Sequence, residues 1–200
     1  VVGEVSDHFV TSREARMNRA LEPIIQSIGS GAGEEPTPLP PPAKGAAAAL
    51  LAGTESNFPA EVSRVLDEWA IYLEAKSLSS PEASKAEIAR IIKAATDLYG
   101  SKDSWRTMEP SQDELRAIAE RKLIARDFQK LKGSSSLAPI TESDALQYFR
   151  RNRLRFGTVP FAAVRENIKA FLTKQQTEKR LEEWKEVLRR KYKVRNFIAG

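Results

Sequence analysis

Apolar and polar positions alternate at helical spacing along most of the chain. From Ser12 to Ile28, Met17, Leu21, Ile24, Ile25 and Ile28 share one face, and Thr11 with Glu14 three residues on forms a capping-box pattern. Pro23 predicts a kink or a break near Glu22 in that helix. The next helix opens at Phe58-Pro59, and Val62, Val65, Leu66, Trp69, Ile71, Tyr72 and Leu73 place apolar groups on more than one side of it. That predicts a central position. Ser80-Pro81-Glu82 reads as the start of a third helix, with the stripe Ile88, Ile91, Ile92, Ala95 and Leu98 ending at Gly100. Trp105 and Met108 fall in a short connector before Pro110.

The second half continues in the same manner. Ser111-Gln112-Asp113-Glu114 is an N-cap signal for a helix that carries Leu115, Ile118, Ala119, Lys122, Leu123, Ala125 and Phe128 to a stop at Lys132-Gly133. Thr141-Glu142-Ser143-Asp144 caps another with Leu146, Tyr148, Phe149 and Leu154, closed by Gly157. Pro160 starts the last, where Phe161, Val164, Ile168, Phe171 and Leu172 precede a polar stretch from Thr173 to Arg180. Leu181, Trp184, Val187 and Leu188 then resume the stripe, so one helix of roughly thirty residues, ~45 Å at 1.5 Å per residue, is expected. Val1, Val2, Val5, Phe9 and Val10 suit a short strand with Asp7 in a turn and His8 beside it; Val194 to Ala199 suits a second. A lone strand cannot satisfy its own backbone, so the two are natural partners and would close the chain end to end. The expectation is a mostly α protein, a single domain of residues 1–200 with a two-stranded ribbon. Gly29, Gly31, Gly33 and the prolines from Pro36 to Pro42 make 29–57 a flexible Gly/Pro-rich insertion.

Composition adds a charge asymmetry. Residues 111–200 carry 21 Lys+Arg against 11 Asp+Glu, whereas residues 1–110 carry 11 against 16. A basic half can meet nucleic acid, anionic lipid or an acidic protein, although basic and acidic residues interleaved at helical spacing are ordinarily solvated faces. Arg150, Arg151, Arg153 and Arg155 form one cluster; Arg189, Arg190, Lys191, Lys193 and Arg195 form another. Neither is accompanied by a zinc-finger or RNA-binding sheet motif. The chain has no cysteine, which excludes disulfides and thiol chemistry, and one histidine, His8, which has no second His or Cys to complete a zinc site. No metal or other cofactor is expected. Gly29-Ser30-Gly31-Ala32-Gly33 lacks the Lys-Ser or Lys-Thr of a phosphate loop and runs into Glu34-Glu35. No Gly-x-Ser-x-Gly elbow occurs. A non-enzymatic protein is expected. Aromatic residues are generous, and Trp69, Tyr72, Trp105 and Met108 are the candidates for an apolar cradle holding extended peptide.

These segments also resemble, in order, the chaperone core of SurA-like periplasmic proteins, a family that includes parvulin-type (PpiC-like) foldases. The opening Val1-Val2-Gly3-Glu4-Val5 through Val10-Thr11-Ser12-Arg13-Glu14 is similar to that family's start. Ser111 to Leu115 with Arg121 to Ala125 is similar to its mid-domain helix, and Thr141 to Phe156, Phe161 to Leu172, Trp184, Leu188 and Val194 to its closing helices and final strand. The resemblance implies that the first and last strands pair and that both ends of the chain build one helical lobe. It implies an ATP-independent holdase that shields unfolded outer-membrane or secreted polypeptides in a bacterial periplasm, in a mature form with its signal peptide removed. The parvulin domain has no room here, and its paired histidines are absent. A prolyl isomerase relative and a nucleic-acid-binding helical protein stay open as alternatives, and a homodimer formed by segment swapping is a further possibility.

Overall fold

The computed structural model describes residues 1–28, 57–78, 82–135 and 138–199. The Gly/Pro-rich insertion therefore lies outside the described residues, apart from Asn57. The described chain is mostly helical, with eight helices and one small sheet: β1 (Gly3–Val5), β2 (His8–Val10), α1 (Ser12–Ile28), α2 (Phe58–Ser77), α3 (Lys85–Tyr99), α4 (Asp103–Met108), α5 (Gln112–Ser134), α6 (Glu142–Arg151), α7 (Arg153–Phe156), α8 (Phe161–Lys191) and β3 (Arg195–Asn196).

Local signals explain most boundaries. Thr11 accepts from the Glu14 amide at 3.1 Å, as the capping-box pattern requires. Ser111 and Glu114 exchange backbone-to-side-chain bonds of 2.9 and 3.1 Å at the head of α5. Thr141 and Asp144 complete a full capping box at α6. Ser84 caps α3 by accepting from the Glu87 amide; Ser80 and Pro81, read as the start of this helix, lie outside the described residues. Trp105 and Met108 sit in the short helix α4 and not in an irregular connector. α1 continues through Pro23 to Ile28 as one helix, and α5 runs one residue past Gly133.

The sheet has three strands in the order β2-β1-β3, not two. β1 and β2 form a hairpin in which Val5 pairs with His8 and Gly3 with Val10. Ser6 takes a left-handed conformation (φ 52°) that reverses the chain within two residues, so His8 belongs to a strand and not to the turn. β3 adds antiparallel on the other side of β1, pairing Gly3 with Asn196 and Glu4 with Arg195. Gly3 is needed there: a Cβ would lie 2.8 Å from Leu66 Cδ1 and 2.9 Å from the Arg195 carbonyl oxygen.

Two compact units can be distinguished within the chain. The first comprises Val1–Phe128 with Val187–Gly200, and the second Gln129–Glu186. Unit one buries a continuous core from α1, α3, α4 and α5, including Met17, Leu21, Ile24, Ile91, Trp105 and Leu123. Val62, Val65 and Leu66 of α2 are also fully enclosed, with Val5 and Val10 of the sheet. Unit two has a much smaller core, Ala145, Phe149 and Ile168, edged by half-buried Tyr148, Phe156, Phe161, Val164 and Leu172. Within it Gly133 lets α5 approach α8, its would-be Cβ lying 3.3 Å from Thr177 Cγ2.

Candidate functional site

Four elements of unit one meet at a cluster of charged and aromatic groups. α1 places Glu14 and Asn18 one turn apart on the same face. α2 supplies Glu68, Trp69 and Tyr72, and α5 supplies the neighbours Arg121 and Lys122, each with a side chain only 4% exposed. His8 comes from β2.

Arg121 is the hub. Its Nη1 donates to Glu14 Oε1, its Nε to Glu68 Oε1 and its Nη2 to Asn18 Oδ1, each at 2.8 Å. Lys122 donates to the other Glu68 oxygen at 2.8 Å and pairs with Glu22 at 2.5 Å. Burial alone pushes the Glu68 carboxyl up, but Lys122 and Arg121 outweigh it and hold the group below its ordinary range. Burial likewise works against the Lys122 ammonium, and Glu68 with Glu22 reverses the effect, so its pKa is raised. Glu68 and Lys122 therefore stay charged. Removing one partner would strand a charge in the interior at a cost of ~3–5 kcal/mol.

This network carries an aromatic shelf. Trp69 Nε1 donates to Glu14 Oε1 at 2.8 Å, which pins the indole from one edge. The Arg121 guanidinium lies 4.4 Å from the indole centroid. The His8 ring packs 3.9 Å from the indole, and His8 Nε2 is 3.2 Å from Glu14 Oε2. Tyr72 meets Trp69 edge-on at 5.6 Å and has Lys76 Nζ over its own ring. Both Trp69 and Tyr72 are half-buried. The carboxylates are engaged by cations and by the indole, so the cluster fixes an apolar surface and leaves neither oxygen pair poised as a base.

Of the four sequence candidates, the structure brings Trp69 and Tyr72 together and separates them from the other two. Trp105 (5% exposed) and Met108 (9%) belong to the core of unit one, with Trp105 packed 5.3 Å from Tyr99. Their apolar character serves packing. The sequence reading missed Glu14, Glu68, Arg121, Lys122 and His8 as partners of the shelf, because helical carboxylates flanked by basic residues look like solvated pairs until the helices are assembled. Lys122 on the apolar stripe of α5 was the one visible signal.

A groove of about 920 Å³ also runs along α3 and α5, with Ile88 and Ile92 in its floor and Lys85, Asp97, Arg116 and Glu120 at its rim. Ile88 and Ile92 are buried, and the rim carries both signs of charge. Among the described residues no group of acidic, His or Cys side chains is arranged to hold a metal ion. No described helix is long and apolar enough to cross a membrane. No family model matches this chain, and no curated protein or solved structure matches it either.

Proposed function

We propose that this protein is an ATP-independent holdase of the bacterial periplasm, related to the SurA-like chaperones, that binds extended apolar segments of unfolded outer-membrane or secreted polypeptides. The observation that carries the reading is the shelf of Trp69, Tyr72 and His8. It is an aromatic surface, partly open to solvent and held rigid from beneath by buried ion pairs. A pre-ordered aromatic surface binds apolar side chains without first losing its own rotamer freedom. The pairing of β1 with β3 supports the same reading, since the resemblance leads one to expect the two ends of the chain in one lobe.

The test is suppression of aggregation of an unfolded outer-membrane β-barrel protein, without nucleotide, at low and high salt. Suppression should persist in high salt, because apolar burial is far less salt-dependent than phosphate or charge contacts. Tyr72→Ala should weaken it about tenfold, the order expected for losing one aromatic contact of ~1–2 kcal/mol, with the circular dichroism spectrum unchanged. Absence of suppression, or its complete loss in salt, would overturn the reading.

A further inference from the structure

Unit two presents a surface of different chemistry. Between Asp144 and Glu166 the chain carries five arginines and no carboxylate. Four of them, Arg150, Arg151, Arg153 and Arg155, sit at the end of α6 and on the single turn α7, all exposed. Arg165 has carboxylate partners in Glu142 and Glu166. Arg153 donates to the Val159 carbonyl and lies over the Phe149 ring at 4.9 Å. Among the described residues, the guanidinium groups of Arg150, Arg151 and Arg155 meet no acceptor.

Apolar groups lie in and beside this basic turn. Leu154, between Arg153 and Arg155, is 99% exposed. Phe156 packs on Tyr148 and Phe149, and Tyr148 packs on Phe171, which is itself 41% exposed. The core behind these groups buries only Ala145, Phe149 and Ile168. A wholly exposed leucine among exposed guanidiniums, with aromatic rings beside it, matches the make-up of a protein–protein contact, where arginine and aromatic groups are enriched. It fits a phosphate backbone less well, because Leu154 would lose water and gain nothing against phosphate. It fits a bilayer less well too, because one turn of helix offers little apolar area to insert.

We propose that this face of unit two is a second docking surface, whose occupant is a polypeptide segment combining carboxylates with apolar side chains. Carboxylates pair with Arg150, Arg151 and Arg155, which lack partners among the described residues, while Leu154 and the Tyr148–Phe171 edge receive the apolar groups. The proposal rests on the holdase reading only in taking a polypeptide as the occupant. It adds a charge preference that the aromatic shelf of unit one does not supply.

The test uses the full chain and three fluorescein-labelled peptides of equal length that alternate Phe and Leu with Glu, Gln or Lys. Anisotropy titrations should rank Glu above Gln above Lys, with the Glu peptide binding at least about tenfold more tightly than the Lys peptide, as several exposed charge pairs acting together would give. Arg151→Glu with Arg155→Glu should reverse the order, and Leu154→Ser should weaken all three peptides. These positions are exposed, so the fold is retained, and an unchanged thermal melt verifies it. Tyr72→Ala should leave the ranking untouched, which separates this surface from the shelf: if aggregation suppression fails while the ranking holds, only the function of unit one is wrong. Equal affinity for the three peptides would overturn the proposal. So would a ranking that survives the arginine reversals, or binding of single-stranded RNA or phosphatidylglycerol vesicles in place of the Glu peptide that the same reversals abolish.

Discussion

At the scale of single residues, Arg13 and Glu114 give the clearest pH dependence. The Arg13 guanidinium forks onto both Glu114 oxygens, and Nε and Nη2 donate to the carbonyls of Met108 and Glu109. With the Ser111 amide added, the Glu114 carboxyl falls from 4.5 to about 2. A carboxyl depressed in the folded state stabilises the fold fully above its unfolded value. That contribution is lost as pH falls from 4.5 toward about 2. Both side chains are 39% exposed, so water screens the pair, and the effect is expected to be about 1 kcal/mol or less. Urea titrations across that acid range should show a shallower fall in stability for Glu114→Gln than for the parent chain; parallel curves would contradict the assignment. Nothing in the sequence placed Arg13 against Glu114. The capping box at Ser111–Glu114 was legible from spacing, but a partner about a hundred residues away depends on how α1 meets α5.

Among the elements, what could be read were those governed by local rules. α1 and α8 fall where periodicity and caps place them, because each signal lies within a turn of the boundary it sets. The hairpin was less legible. Val5 and Val10 looked like one strand with His8 in a turn, since a two-residue reversal at Ser6-Asp7 has no glycine to announce it. The shelf was half legible for a similar reason: Trp69 and Tyr72 stand out by type, whereas the buried ion pairs beneath them join three helices. The β3 end rests on Asn196, whose amide donates to the Pro59 carbonyl at 3.0 Å and to Ser63 Oγ at 2.8 Å. Its own Oδ1 accepts from the Ile198 and Ala199 amides. Asn196→Ala should lower stability by ~1–3 kcal/mol, because it removes the donor to the part-buried Pro59 carbonyl and Ser63 Oγ and the acceptor of the Ile198 and Ala199 amides. The urea midpoint measures this, and an unchanged midpoint would show that β3 is held by backbone pairing alone.

For the whole molecule, the contrast between the two cores is the property with measurable consequences. Unit one encloses apolar residues from each of α1 to α5 together with the sheet, while unit two encloses three among its described residues. Stability follows the apolar area removed from water, so the smaller unit should open first. Trp105 reports on the first core and Trp184 lies in the second unit. With the other tryptophans replaced by Phe, fluorescence of Trp184 should change at lower urea than that of Trp105. Coincident transitions would mean that the two units unfold as one.

The pairing of Gly3 with Asn196 carries a kinetic consequence. Every other strand contact in the sheet is a hairpin closed by two residues, whereas this one closes a loop of nearly the entire chain. The entropy of loop closure grows with the logarithm of length, and contacts of high sequence separation slow folding. β1 therefore has its hairpin partner within microseconds but waits for β3 until the rest of the chain is in place. During synthesis, its second edge stays open until Arg195 and Asn196 have left the ribosome, and over that interval this protein itself presents the kind of unpaired strand that aggregates.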